Sequence, residues 1–361
     1  MRIAQIAPLW ESVPPPAYGG TELVVSLLTD ELVRRGHEVT LFATGDSTTL
    51  AQLEAMHPCA LRLDTDVTEH QAYEAMQLSE VYQRADEFDI IHSHLGFAAL
   101  SCASLVKTPT VHTLHGALTA DNQKAYQRCR NQPYVSISNA QRDLQLGLNY
   151  VATVYNGIDS TIHTFYPEPN DPPYLAFLGR LSPEKGAHHA IEIARRSGWQ
   201  LKMAGKVDRV DVDYFEQEIK PYIDGEQIQY LGEANHVQKN ILMGNAVATL
   251  FPITWQEPFG LVMIESMAAG TPVIAMKLGS TPEVIAHGKT GFLCESVEDC
   301  VAALNQIDKI DRAACREHVV NKFGVKPMVD GYEAVYRQLL KERFVQNGRS
   351  RSQLVGAEVK R

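Results

Sequence analysis

Three segments in the first half of the chain share one design: Asp89-Ile90-Ile91-His92-Ser93-His94, Thr110-Val111-His112-Thr113-Leu114-His115-Gly116 and Tyr134-Val135-Ser136-Ile137-Ser138-Asn139 each pass from an apolar run into polar residues. Short apolar runs of this kind, bounded by turn residues, are buried strands of a parallel sheet. Ligands of an open parallel sheet bind beyond the carboxyl ends of its strands, so His94, His115 and Ser138 point at one crevice. His92 and His112, inside the runs, read as structural. His115, directly before a glycine at a strand end, reads as functional.

The same alternation organises the rest. Arg2 to Ala7 is a strand, and the loop Pro8 to Gly20, with Pro14, Pro15 and Pro16, excludes regular structure. Tyr18-Gly19-Gly20-Thr21-Glu22 then opens a helix with Leu23, Leu27, Leu28 and Leu32 on its apolar face, and Glu38 to Ala43 completes a βαβ unit. Gly19 and Gly20 allow backbone N–H groups to approach an anionic ligand, or they form a simple turn. The dinucleotide fingerprint G-x-G-x-x-G is absent, which counts against an ordinary NAD enzyme. Asp159 to Tyr174, with four prolines, reads as a linker.

A second α/β series starts at Tyr174 to Leu178 and continues through strands at Gln200 to Ala204, Ile228 to Leu231, Ala248 to Phe251 and Thr271 to Ala275. Helices are expected over Val297 to Ile307, Asp311 to Lys322 and Lys326 to Arg343. The pattern predicts two Rossmann-like α/β domains with parallel sheets facing across a deep cleft: residues 1–165 and 166–330. Residues 331–345 are a final helix, and 346–361 a flexible polar tail.

Charge and cysteine usage narrow the partners. Residues 1–165 carry 10 Lys and Arg against 18 Asp and Glu, and residues 166–361 carry 23 against 25. An acidic first half repels phosphates, which disfavours nucleic acid and anionic membranes. The six cysteines show no C-x-x-C pair and no zinc-like grouping, so reduced thiols and no metal site are expected. The opening run Met1 to Pro8 is too short for a signal peptide's apolar region or a membrane span, so a cytoplasmic location is expected.

Chemistry concentrates in the second half. Trp255 to Gly270 carries Glu257 and Glu265 where a loop becomes a helix, with Pro258 suited to a first helical turn and Leu261, Ile264 and Ala268 at helical spacing to face a core. Such acids grip hydroxyls, or they are ordinary helix charges. Arg180 and Lys185 flank another strand-to-helix loop beside glycines, an arrangement that suits phosphate and is also compatible with a solvated surface. Together these groups fit a sugar attached to a diphosphate.

The motifs Gly179-Arg180-Leu181, Glu184-Lys185-Gly186 and Glu257-Pro258-Phe259-Gly260-Leu261 through Glu265, with Tyr18-Gly19-Gly20, Thr113-Leu114-His115-Gly116, Asn156-Gly157-Ile158-Asp159 and Gly291-Phe292-Leu293, run in order along most of the chain. In this the sequence resembles the retaining family 4 glycosyltransferases of the GT-B fold. The resemblance implies transfer of a hexose from a nucleoside diphosphate sugar to an acceptor hydroxyl, with UDP-glucose the first expectation for the donor and GDP-mannose the second. An inactive nucleotide-sugar binding protein and a sugar-nucleotide epimerase are the alternatives. It further implies that Glu265 binds the donor ribose, that Glu257 contacts the transferred sugar, and that Arg180 and Lys185 hold the diphosphate. Gly19, Gly20, Gly205, Pro258, Phe259, Gly260 and Leu261 complete the donor site, and His115 stands beside the sugar. Tyr18, His94, Ser138 and Asn156 are assigned to the acceptor, a small molecule, glycan or lipid-linked group. No metal or other cofactor is implied. The final helix is expected to cross back onto the first domain. Two departures from the family pattern stand out: Gly279-Ser280 replaces a glycine pair, which suggests a tighter loop, and Lys206 follows Gly205.

Overall fold

In the computed structural model, which describes residues 1–17 and 19–358, with backbone alone for residues 344 and 346–358, thirteen strands pair in two wholly parallel sheets. The first contains β1 (Arg2–Ile6), β2 (Glu38–Ala43), β3 (Gln52–Ala55), β4 (Ile90–Ser93), β5 (Thr110–Leu114), β6 (Tyr134–Ser136) and β7 (Tyr150–Thr153), in the order β3-β2-β1-β4-β5-β6-β7. The second contains β8 (Tyr174–Leu178), β9 (Gln200–Ala204), β10 (Ile228–Tyr230), β11 (Ala248–Phe251), β12 (Val273–Met276) and β13 (Gly291–Cys294), ordered β10-β9-β8-β11-β12-β13. Each order reverses once, between β1 and β4 and between β8 and β11. A crevice opens at such a reversal, and this is where a doubly wound sheet binds ligands.

The central strands are apolar runs because helices cover both faces, so alternate residues find no water on either side. Every residue of β4, β5, β8, β11 and β12 is buried. Edge strands behave differently. β3 reads Gln-Leu-Glu-Ala with no fully buried residue, and β7 is half-buried throughout, so neither carries the apolar run that marks its neighbours.

The final helix, Val325–Glu358, packs on the first domain. Met328, Val329, Tyr332, Val335, Tyr336 and Leu339 share a core with Ile3, Val24, Leu28 and Leu32. Arg35 reaches Asp330 at 2.7 Å and Glu333 at 3.3 Å, and His37 Nε2 lies 2.7 Å from Glu333. The polar tail expected over 346–361 is not a tail as far as Glu358: the helix simply continues. Extending an anchored helix needs propagation without a new nucleus, and no proline follows Pro327 to stop it.

The chain leaves the first domain beside the place where it returns. Ile158 bridges Gly324, and its N–H donates to Phe323 O at 2.9 Å. Downstream the proline-rich linker is strapped to the second domain. Arg312 donates to Tyr166 O at 2.8 Å, and Arg316 donates to the carbonyls of Ser160 and His163 at 2.7 and 2.8 Å. Among the described residues, no helix is long and apolar enough to cross a membrane.

Candidate active site

The carboxyl edges of the two sheets enclose a cavity of about 350 Å³. Gly19, Gly20, His115 and Asn156 line it from the first domain. Arg180, Lys185, Gly205, Glu257, Glu265 and the run Pro258 to Leu261 line it from the second. Thirteen residues from both halves of the chain thus line one cavity. His94 and Ser138 do not reach this wall: His94 is buried behind His115, and the Ser138 hydroxyl turns back to accept from the Gln141 N–H at 3.1 Å. Tyr18 lies outside the described residues.

Local backbone geometry sets the second-domain wall. The helix Leu261–Ala268 starts only after Gly260, which has φ 80°, so Pro258 stands in the loop rather than in a first helical turn. A left-handed residue interrupts the turn that Pro258 would begin. Leu261 consequently faces the cleft, while Ile264 and Ala268 are buried. The two walls touch at this point, because a Cβ on Gly20 would come within 3.1 Å of Leu261 Cδ1. Gly205 is equally constrained: a Cβ there would fall 1.7 Å from Gly179 O.

The charges in the cleft are held in pairs. Lys185 Nζ donates to Glu257 Oε2 at 2.5 Å, Trp255 Nε1 donates to the same oxygen at 2.9 Å, and the ammonium lies 4.9 Å from the Trp255 ring. Arg180 donates to Glu184 at 2.6 Å and lies 3.6 Å from Asp208, which also receives Lys206 at 2.5 Å. The hydrogen bond from Lys206, with Arg180 nearby, holds the Asp208 carboxyl below its ordinary value. Glu265 is not held in this way. It is 5% exposed, and its carboxylate makes no hydrogen bond or ion pair among the described residues. A buried carboxylate facing a cleft without a partner is suited to a ligand that brings donors.

The Gly279-Ser280 departure has a local explanation. The Ser280 hydroxyl donates to Phe259 O at 2.7 Å, and the Gly279 N–H donates to Gln256 Oε1 at 2.8 Å. A Cβ on Gly279 would sit 2.4 Å from the backbone of Glu257, so the glycine is required for loop contact while the serine ties the loop down.

The sequence reading misses part of the site. Glu233, His236 and Lys239 also line the cavity. His236 Nε2 lies 3.1 Å from Pro15 O, and Lys239 Nζ donates to Ala17 O at 2.8 Å, so the helix His236–Gly244 holds the proline-rich loop of the other domain. The available signal was the capping box of Asn235 and Gln238, which marks a helix start aimed at the cleft. Across the first domain, Glu22 is buried behind the glycine loop, and burial, with Glu11 nearby, pushes its carboxyl up to about 7. Among the described residues, the His and Glu side chains that line the cavity form no group of three close enough together to hold one metal ion. Among the described residues, one such group, His57, Cys59 and Asp64, lies elsewhere, and there His57 Nε2 and Asp64 Oδ2 already pair at 2.9 Å.

Residues 18–162 match the family model described as Glycosyltransferase Family 4, and residues 159–318 match the model described as Glycosyl transferases group 1. The chain belongs to the family 4 glycosyltransferases. This glycosyltransferase is 25% identical over 374 residues to N-acetyl-alpha-D-glucosaminyl L-malate synthase of Bacillus anthracis, a match that covers 91% of this chain and 96% of that protein. Its fold aligns with a sucrose-phosphate synthase from Thermosynechococcus elongatus at a TM-score of 0.76 and 19% identity, covering 95% of this chain and all of the other. It aligns with Anabaena HepE in complex with UDP and glucose at a TM-score of 0.72 and 20% identity, covering 94% of this chain and all of the other. Both likenesses identify the fold of this glycosyltransferase as GT-B.

Proposed function

We propose that the enzyme transfers a hexose from a nucleoside diphosphate sugar, UDP-glucose in the first instance, to an acceptor hydroxyl with retention at the anomeric carbon. The observation that carries this reading is Glu265, a buried carboxylate with no hydrogen bond or ion pair among the described residues, in the same cleft as the compensated cations Arg180 and Lys185. A ribose diol offers two hydroxyl donors to one carboxylate, which suits Glu265. The diphosphate suits Arg180 and Lys185, which can turn from Glu184 and Glu257 to phosphate oxygens, with Glu257 keeping the Trp255 indole N–H as a donor. The complexes of HepE with UDP, glucose and UDP-glucose support a uridine donor.

In the transfer step the bond from the anomeric carbon to the β-phosphate oxygen breaks as the acceptor oxygen bonds to that carbon on the same face. The acceptor proton passes to the departing phosphate oxygen, so UDP leaves and the glycoside remains. Charge builds on the diphosphate during the step. Cations already in place stabilise that charge, by roughly 3 kcal/mol for a good contact. Arg180 and Lys185 thereby supply the positive charge that a divalent ion would otherwise provide.

The reading is tested by incubating the protein with candidate nucleotide sugars and acceptors and identifying products by mass spectrometry and NMR. An α-glycoside formed from an α-linked donor, with UDP released in equal amount, is the expected result. Release of a free epimerised sugar, or donor binding with no transfer to any acceptor, would contradict it.

A further inference from the structure

Behind His115 runs a continuous set of side chains that ends on the final helix. His115 Nε2 lies 2.8 Å from His94 Nδ1, and His94 Nε2 lies 3.0 Å from Gln5 Oε1. Gln5 Nε2 donates to the Tyr336 hydroxyl at 3.2 Å, and that hydroxyl lies 2.7 Å from His92 Nδ1. His92 Nε2 lies 2.7 Å from Thr113 Oγ1, whose hydroxyl donates to that of Tyr332 at 3.1 Å. Gln5, His92, Thr113, Tyr332 and Tyr336 are 0% exposed.

Gln5 gives the chain a direction. Its amide carbonyl faces His94 and only accepts, so His94 must carry its proton on Nε2. A neutral imidazole has one N–H, which leaves His94 Nδ1 as an acceptor and requires His115 to donate from Nε2. On the other side the amide nitrogen only donates, so Tyr336 passes its own hydroxyl hydrogen to His92 Nδ1, and His92 donates from Nε2 to Thr113. Every link follows from the orientation of one amide. Burial holds His115 neutral, with its pKa lowered to about 4, and holds His92 and His94 well below the ordinary histidine value.

We infer that Gln5, His94 and Tyr336 are positioning residues that lock His115 in the Nε2–H tautomer, so that its Nδ1 lone pair is presented to the cleft as the acceptor for a sugar hydroxyl. This rests on the reading of His115 as the residue beside the transferred sugar. It gives the final helix a part in the chemistry, since Tyr336 fixes the Gln5 amide from a position 331 residues away in sequence. Lost orientation of a hydrogen-bonding histidine costs rate more than it costs binding.

The test combines a spectrum with kinetics. Nitrogen-15 labelling of histidine in the full-length protein, with resonances assigned by His115→Gln and His94→Gln, reports directly which nitrogen of His115 carries the proton. A proton on Nε2 is expected; a proton on Nδ1 means that Gln5 is turned the other way and overturns the inference. The kinetic arm uses Tyr336→Phe, which keeps the ring in the core, and His94→Leu beside His94→Gln, whose amide oxygen can still accept from His115. The expected result is a fall in kcat of roughly 10-fold for Tyr336→Phe and for His94→Leu, partial recovery in His94→Gln, and an unchanged KM for the donor. Wild-type kcat in both Tyr336→Phe and His94→Leu would overturn the inference. The spectrum is read without substrate, so a protein that transfers no sugar at all would refute the proposed reaction while the tautomer is still decided.

Discussion

Glu265 and Glu257 are both carboxylates of the cleft, yet they stand in opposite states. Glu265 makes no hydrogen bond or ion pair among the described residues, so Glu265→Gln should leave the folded protein nearly unchanged and raise the donor Kd by roughly 10- to 100-fold, the loss of a hydrogen bond to a charged group. Titration calorimetry with UDP-glucose checks this. Glu257 instead holds Lys185 and Trp255. Glu257→Gln releases Lys185 toward the diphosphate, so UDP affinity should hold or rise while kcat falls. A parallel loss of UDP binding would argue against that division of labour. The motif positions of both acids were legible in sequence, but their pairing was not, because Lys185 and Glu257 are 72 residues apart and meet only once the two loops converge. Glu22 adds a pH effect of definite sign. Its folded value of about 7 lies above the ordinary 4.5, so the folded state binds more protons between those values, and stability declines as pH rises through that window. Glu22→Gln should abolish the decline and raise stability at pH 8 by up to about 3 kcal/mol, read from urea midpoints at pH 5 and 8.

At the scale of elements, two crossings join the domains, and they run side by side. Gly157 sits where they touch: its N–H faces Met328 Sδ at 3.1 Å, and a Cβ would meet Gly324 O at 2.5 Å. Gly157→Ala should therefore destabilise the fold by about 1 to 3 kcal/mol, since the opposing atom is backbone and cannot rotate away. Thermal unfolding of the variant checks it; an unchanged Tm would mean that the crossings separate easily. Central strands and amphipathic helices were readable because burial on both faces imposes apolar runs. Edge strands β3 and β7, the late start of the Leu261–Ala268 helix and the length of the final helix were not. They depend on a partner strand, on Gly260 and on an anchored preceding turn.

The whole molecule places both sheets' ligand-binding edges against one cavity and ties them on two sides. Glu283 receives the N–H groups of Asn139 and Ala140 at 2.8 and 2.7 Å and the Tyr155 hydroxyl at 2.9 Å, while His236 and Lys239 hold the carbonyls of Pro15 and Ala17 from the other domain. None of these contacts has a sequence signature, since each joins residues in opposite halves of the chain, and all but the Tyr155 hydroxyl bond run from a side chain to loop backbone. The alternation of apolar strands and amphipathic helices in both halves, by contrast, is legible in the sequence, and with it the expectation of two parallel sheets facing across a cleft. We propose that this cleft is built for a nucleoside diphosphate sugar, with Glu265 as its ribose anchor. Calorimetric titration of UDP-glucose into the wild-type protein and Glu265→Gln tests it most directly. Saturable one-site binding to the wild type, weakened at least about 10-fold in the variant, is the predicted result. Equal affinity in the two proteins, or no binding of any nucleotide sugar to the wild type, would contradict it.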